Sequence, residues 1–350
     1  MVETTIKMFE RAVGTGTPTF VVAEAGINHN GDLEAARKQV RAARDAGVDA
    51  IKFQTFTAPD MMTKTAGAAA HLEAGVGRED VYSFAARIAL DREAHQVLWD
   101  ECRDAGIHFL SSPFSTESVD LLADLGVQAY KVASMDLDNL ALLSYISGTG
   151  RPIILSTGMG TLGDVDRALD AIDSAGKSQV VLLHCTSQYP ALPQDVNLRA
   201  IDTLSRAFGV PVGYSDHTLG NAIPVAAVAR GACLIEKHFT LDKSLPGPDQ
   251  AVSAEPQEFR ALIEAIRDVE SALGDGRKRP VAGEIETQGA FRRSIVTTED
   301  IAEGTVITRA MLTFKRPGTG ISPAQVEWVL GRVAKTTIPA DSVIERDQLL

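Results

Sequence analysis

The sequence is short of cysteine, of net positive charge and of long apolar runs, and each shortage closes off a class of function. Three cysteines in 350 residues, Cys102, Cys185 and Cys233, cannot build a disulfide framework and show no metal-type spacing. They fit a reducing compartment, and the expected location is cytoplasmic. Acidic residues outnumber basic ones by 46 to 34, for a formal net charge of -12. A chain of that sign presents no footprint for nucleic acid and no adhesion to an anionic membrane. A phosphorylated substrate stays open, because a few local lysines can hold a phosphate inside an acidic protein. No run reaches the length of a transmembrane span, and the opening MVETTIKMFERAV lacks the apolar stretch of a signal peptide. No GxGxxG follows the first strand-like run, which counts against a doubly wound sheet.

What is present is a steady alternation. Hydrophobic residues make up 45% and charged residues 23%, enough apolar surface for a buried core. Strand-like runs at 19–25, 49–54, 107–112, 129–134, 152–157, 179–185, 211–215 and 232–239 are separated by helical patterns. The helical stretches include Leu33–Ala46, Arg92–Ala105, Ser118–Leu125, Val165–Ala175 and Pro256–Leu273. Several end in a glycine, as in DAGVD, DAGIH and DLGVQ, which is a helix C-cap signal. Eight strands, each followed by a helix or room for one, predict an α/β fold of the (β/α)8 barrel type over residues 1–275, with a short N-terminal extension. Segment 57–90 is too long for an ordinary βα loop and reads as a mobile lid. Residues 276–290 are polar and glycine-rich, a linker. Residues 291–350 hold the short strand-like runs SIVTT, GTVIT, LTFKR and KTTIPA, a separate small β-rich domain.

Polar residues collect at the strand ends, where a barrel keeps its chemistry. The first strand ends at Glu24, the second carries Lys52 and Gln54, and the fourth carries Lys131 and Ser134. The fifth ends at Ser156, the sixth at His184 and Ser187, and the seventh at Ser215, Asp216 and His217. The eighth carries Glu236, Lys237 and His238. Strand alternation puts Lys52 with Gln54 and Glu236 with His238 on one face, with Lys237 opposite. His217 and His238 would stand on neighbouring strands about 4.8 Å apart, where two inward imidazoles can share a divalent metal. Hydrogen-bonded histidines at the barrel mouth are an equal reading of that spacing. An inward lysine needs an anion, so Lys52 and Lys131 read as a phosphate or carboxylate clamp, as salt bridges to Glu24 or Glu236, or as a Schiff-base amine.

With these residues placed, the chain resembles the sialic acid synthase family. The resemblance runs through AEAGINHNGD (23–32), IKFQTF (51–56), FLSSPF (109–114), YKVAS (130–134), ILSTGM (154–159), LLHCTSQYP (182–190), VGYSDHTLG (212–220), EKHFTLD (236–242), PGPDQ (246–250) and KRPGTGI (315–321). Each segment is weak alone, but their joint order is specific and spans essentially the whole chain. The resemblance implies a (β/α)8 barrel followed by an antifreeze-like (SAF) domain, in a domain-swapped homodimer. It implies that His217 and His238 bind Mn²⁺ or Mg²⁺. It places phosphoenolpyruvate on Lys52, Lys131, Ser134, Ser156 and Ser215, and the sugar beside Glu24, Gln54, Tyr189 and Asp249. Arg316 of the neighbouring chain would touch the sugar's acyl group. Three positions depart from the common pattern: Met135 stands where Gly is usual, Asp136 where several members have Glu, and Ser187 where Asn is frequent.

The implied reaction condenses phosphoenolpyruvate with an N-acetylated amino-sugar aldehyde to a nine-carbon 2-keto acid and phosphate. Glu24 or Asp136 is the expected general acid or base. The rivals are a Schiff-base lyase-type aldolase on the same barrel, a related synthase acting on a phosphorylated sugar, and a carbohydrate-binding protein on a dead barrel.

Overall fold

Elements form where the apolar period and the caps agree. The computed structural model describes residues 4–67 and 80–350, so only the flanks of the expected lid segment 57–90 fall within it; the rest of that expectation lies outside the described residues. The chain divides into two compact units, Met1–Gly274 and Asp275–Leu350.

In the first unit a hairpin of β1 (Thr5–Met8) and β2 (Arg11–Gly14) precedes a parallel sheet. Its strands are β3 (Phe20–Gly26), β4 (Ala50–Thr55), β5 (His108–Pro113), β6 (Tyr130–Val132), β7 (Ile153–Ser156), β8 (Val180–Cys185), β9 (Val212–Asp216) and β10 (Leu234–His238). The ladder runs β5-β4-β3-β10-β9-β8-β7-β6, and its end strands β5 and β6 lie side by side, which closes the ring as a (β/α)8 barrel. Helices cover the outside: α1 (Leu33–Ala46), α4 (Arg92–Ala105), α5 (Thr116–Leu125), α6 (Leu140–Ser147), α7 (Leu162–Ala175), α8 (Ala200–Phe208), α9 (Ala222–Ala229) and α10 (Pro256–Leu273), while α2 (Ala58–Met61) and α3 (Val81–Ile88) lie in the connection between β4 and α4. Helix α1 shows how the sequence sets its limits. The Asp32 carboxylate accepts from the amides of Glu34 and Ala35, and Gly47 closes the other end at φ 89°. Among the described residues no helix is long and apolar enough to cross a membrane.

Alternation along the strands builds two cores. Val21, Ala23, Ile51, Phe53, Leu155 and Leu182 point out to the helices. Phe20, Val22, Ala50, Leu110, Ile154, Val181, Leu183 and Leu234 point into the barrel. The hairpin joins that inner core through Ile6, Met8, Phe9 and Val13. Phe9 stacks on Phe20 at 5.3 Å and on the His108 ring at 4.5 Å, so the hairpin is packed onto the start of the strands. It stoppers the end of the barrel opposite the strand C-termini. The short N-terminal extension expected from the sequence is this hairpin.

The second unit opens with α11 (Ala282–Phe291), so the segment read as a linker is helical in its second half. None of α11 is buried, which explains why no apolar face marked it in the sequence. β11 (Ser294–Thr297) and β12 (Leu312–Lys315) pair antiparallel over Ile295, Ile301, Ile307, Val329, Ile338 and Ile344. The GTVIT and KTTIPA runs form only isolated bridges, Val306 to Val333 and Ile301 to Ile338.

Candidate active site

The parity that buries Leu234 inside the barrel carries Glu236 and His238 upward on the same face. Likewise Val22 leads to Glu24, Ala50 to Lys52 and Gln54, Ile154 to Ser156, and Leu183 to Cys185. Apolar residues thus fill the lower barrel, and the last inward residue of nearly every strand is polar. Ladder register then sets the neighbours: Glu24 sits beside Lys52 and His238, and Glu236 beside Ser215.

The centre is a buried ion cluster. Lys52 Nζ lies 3.0 Å from Glu24 Oε2, 3.7 Å from Glu236 Oε1 and 3.3 Å from Ser112 Oγ. Lys131 Nζ lies 3.3 Å from the same Glu236 Oε1, which also accepts from Ser215 Oγ at 3.2 Å. Both lysines are only 3% exposed. Burial raises the Glu236 carboxyl, but Lys131 and Lys52 together hold it below its ordinary value. Burial pushes Glu24 up to about 7, against the lowering effect of Lys52 and with a further push from Glu236. Gln54 Nε2 donates to Glu24 Oε1 at 3.2 Å and fixes its orientation. Burial also lowers Lys131, more than Glu236 raises it, while Lys52 is held up against burial by Glu236 and Glu24.

Beside the cluster stand two imidazoles with ring centroids 5.4 Å apart. His217 Nδ1 is 2.8 Å from the Thr186 carbonyl. A carbonyl only accepts, so Nδ1 carries a proton; against the lowering effect of burial, Cys185 Sγ, 3.8 Å from Nδ1, and the Thr186 carbonyl hold the ring above its ordinary value. His238 is held well below its ordinary value, first by burial and then by His217, and so is a neutral ring. Its Nδ1 is buried with no hydrogen-bond partner, 3.6 Å from Asp249 Oδ2. Burial raises Asp249 to about 6. Tyr189 lies against both rings, at 4.2 Å from His217 and edge-on at 5.7 Å from His238. Among the described residues no group of three or more His, Cys, Asp or Glu forms a ready metal cage. Two adjacent imidazoles, one oriented by a carbonyl and one with an unpartnered nitrogen, nonetheless fit a divalent ion that displaces any ring proton and takes oxygens of water or substrate as its other ligands.

Of the candidate residues named from the sequence, all but Asp136 and Arg316 line one cavity of about 330 Å³ at this end of the barrel. Ser156 Oγ is buried there without a partner, and Ser134 Oγ accepts from the Gly158 amide at 3.0 Å. Asp136 closes the 3₁₀ turn Ser134–Asp136, where its Oδ1 accepts from Asn139 at 3.1 Å, and it is not among the residues that line the cavity. Arg316 belongs to the second unit, where its guanidinium lies over the Phe291 ring at 5.1 Å. Two further strand-end residues face outward. His184 Nε2 donates to the Val196 carbonyl at 2.6 Å, and Asp216 takes Lys237 Nζ at 2.5 Å while its other oxygen caps Thr218. That outer network shapes the turn that carries His217. The sequence reading omitted Ser112 and Cys185 from the site and treated Glu236 only as a salt-bridge partner. Parity alone would have placed Cys185 and Glu236. The apolar lining from Phe56, α2 and α3 carries no comparable signal, because it lies outside the strand pattern.

Eight parallel strands whose inner C-terminal ends converge on paired lysines, carboxylates and imidazoles define a barrel enzyme with its chemistry at the strand tops. The chain belongs to the NeuB family, whose profile matches residues 39–278, and it ends in a SAF domain matched over 292–350. It is 43% identical over 329 residues to the N,N'-diacetyllegionaminic acid synthase of Campylobacter jejuni, covering 93% of this chain and 98% of that one. The enzyme of the same description from Legionella pneumophila is 41% identical over 336 residues, covering 95% of this chain and 94% of that one. Among solved structures, the N-acetylneuraminic acid synthetase of Leptospira borgpetersenii in complex with citrate matches with TM-score 0.74 and 34% identity, over 81% of this chain and 95% of that one.

Proposed function

We propose that the barrel condenses phosphoenolpyruvate with an N-acetylated amino-sugar aldehyde, N-acetylmannosamine or a 6-deoxy-diacetamido hexose, to a nine-carbon 2-keto acid. The observation that carries this reading is the pair of buried ammonium groups, Lys52 and Lys131, converging on one carboxylate oxygen of Glu236 at the cavity floor. Two buried cations held only by carboxylates and hydroxyls suit a small polyanion that can share them. In the reaction C3 of phosphoenolpyruvate bonds to the aldehyde carbon, and the aldehyde oxygen takes up a proton. Water adds at C2 and loses a proton, and the C2 centre then expels phosphate to leave the keto group.

Lys52 and Lys131 hold the phosphate and carboxylate in a reactive pose. Ser134, Ser156 and Ser215 supply hydroxyls to the same anion. Glu24, at about 7, is half protonated at neutral pH and is the carboxyl we assign to proton transfer, since Asp136 stands off the cavity. His217 and His238 would hold a divalent ion, Mn²⁺ or Mg²⁺, with Asp249 and Tyr189 beside them, and such an ion polarises an aldehyde oxygen. Gln54, Ser187, Tyr189 and Asp249 are left to face the sugar.

Phosphate release from phosphoenolpyruvate, dependent on an amino-sugar aldehyde and yielding the nine-carbon keto acid, is the expected result. One observation favours a second reading: burial lowers Lys131, and a Schiff-base lyase needs a neutral amine. Inactivation by borohydride that requires pyruvate, with no phosphate released under any acceptor, would replace the synthase reading with that one.

The proposal extends to a domain-swapped homodimer in which Arg316 completes the partner's sugar site. Its support is the KRPGTGI motif, where Arg316 directly follows the last residue of β12, Lys315, and precedes the Pro317–Gly320 loop. Arg316→Ala and His217→Ala are each expected to be inactive, and to regain part of the activity when mixed and allowed to exchange subunits. A mixed dimer holds one site built from intact halves. Exchange demonstrated by mass measurement with activity still at zero would overturn the swap, as would an active monomer.

A further inference from the structure

The two strands that carry the imidazoles share a second buried ion pair, on their outer face. Asp216 ends β9 and Lys237 is the last residue but one of β10. They stand directly opposite each other, as the final matched pair of the β9–β10 ladder. Tyr214 and Ile235, two residues before each, belong to the core under the helices, so the pair points away from the barrel interior. Both residues are buried, and neither is among those that line the cavity. Each nevertheless comes one residue before a histidine of the imidazole pair.

The bonds are arranged around His217. Asp216 Oδ1 accepts from the Thr218 amide at 3.0 Å, from the Thr218 hydroxyl at 2.8 Å and from the Tyr214 hydroxyl at 3.2 Å. Lys237 Nζ donates to Asp216 Oδ2 at 2.5 Å and to the Thr218 carbonyl at 2.6 Å. One ammonium, reaching from the strand that carries His238, thus grips the residues on both sides of His217. His217 lies just past the end of β9, where ladder bonds no longer set its distance from β10. On the β8 side the Ala191 amide donates to the His217 carbonyl at 2.9 Å, and the Thr186 carbonyl takes Nδ1. Lys237 supplies the tie to β10. Burying two charges is costly, and a well-packed apolar pair would serve the fold at least as well. What an apolar pair lacks is bonds of fixed direction to two points at once.

We propose that Asp216 and Lys237 are positioning residues that hold His217 and His238 at the separation a shared divalent ion requires. The inference rests on the metal reading above and adds residues that touch neither ion nor substrate. Its test is a double variant, Asp216→Asn with Lys237→Met, which removes both charges and leaves neither buried alone. Asparagine can still accept from Thr218, so the turn stays capped while its tie to β10 is cut. Titration calorimetry should show Mn²⁺ affinity lowered about 10- to 100-fold, with a urea midpoint close to that of the intact protein. Excess Mn²⁺ should restore turnover, and the KM for phosphoenolpyruvate should not change, because Lys52 and Lys131 stand on β4 and β6. Thr218→Val deletes one hydroxyl bond to Asp216 and keeps the shape of the side chain; it should weaken Mn²⁺ by about threefold. If the double variant does not fold, Thr218→Val alone decides. Folded variants that bind Mn²⁺ as tightly as the intact protein overturn the inference while the metal reading stands. A raised KM for phosphoenolpyruvate, or turnover that excess Mn²⁺ leaves low, would show a general loosening of the barrel and overturn it as well. An intact protein that takes up no Mn²⁺ brings down the metal reading and this inference together.

Discussion

Lys131→Met should lower kcat/KM for phosphoenolpyruvate by about 100-fold, roughly 2.7 kcal/mol, with a smaller effect on the sugar's KM. The reason lies in what Lys131 touches. Its ammonium sits buried, 3.3 Å from Glu236 Oε1, so removing it takes away one of two cations at the cavity floor. Lys52 remains, but it is already 3.0 Å from Glu24 and cannot neutralise both a phosphate and a carboxylate. Methionine keeps the length and apolar stem of lysine, so packing around β6 is retained. The single variant also leaves Glu236 with less compensation for its burial, which costs stability. A double variant, Lys131→Met with Glu236→Gln, separates the two effects. It should recover most of the lost stability in a urea melt and none of the lost kcat/KM. Recovery of activity along with stability would show that Lys131 serves the fold and not the anion, and full activity of the single variant would dismiss the clamp outright.

The division of Glu236, Lys52 and Lys131 between structure and function also shows how far the sequence could be read. The eight strands and the limits of α1, α4 and α10 followed from period and capping, because burial against a helix layer imposes those patterns locally. Lys52, Gln54, Glu236 and His238 could be placed inward by parity once the strands were known. His184 and Asp216 were grouped with the mouth because a strand end in a sequence does not announce its face. The apolar partners Leu182 and Tyr214 show, after the fact, that both belong to the outer set. The hairpin was not legible for a different reason. Its turn is made by Phe9 and Glu10 at φ 50° and 61°, without the Gly or Asn that marks such turns. Helix α11 was read as linker because it buries nothing, so selection for an apolar stripe left no trace. The two lysines illustrate a last limit. Sequence offered clamp and salt bridge as alternatives, and the geometry holds the salt bridges in the free chain without removing the clamp, since an arriving anion can share the same cations.

The larger loss is expected at the imidazole pair. His217→Ala and His238→Ala should each reduce kcat by about 1,000-fold or more, roughly 4 kcal/mol of transition-state stabilisation, with the barrel still folded. The two side chains reach the same end by different routes. His217 is oriented through Nδ1 by the Thr186 carbonyl at 2.8 Å, which leaves Nε2 as the ligating atom once an ion displaces any proton there. His238 has no such hydrogen bond on Nδ1, and its neutrality follows from burial and from His217 beside it. A buried, unpartnered ring nitrogen costs stability when nothing occupies it, so its retention next to a second imidazole argues for a ligand that uses both. Chelation should therefore abolish turnover of the intact enzyme, and Mn²⁺ or Mg²⁺ should restore it. The same ions should fail to restore either alanine variant. Binding can be read without turnover: titration calorimetry with Mn²⁺ should show one site per chain in the intact protein and a large loss of affinity in each variant. Hydrogen-bonded mouth histidines, the competing reading of their spacing, predict the opposite. On that reading excess EDTA leaves activity undiminished, Mn²⁺ produces no saturable heat, and each substitution costs only the local contacts of its ring with Tyr189.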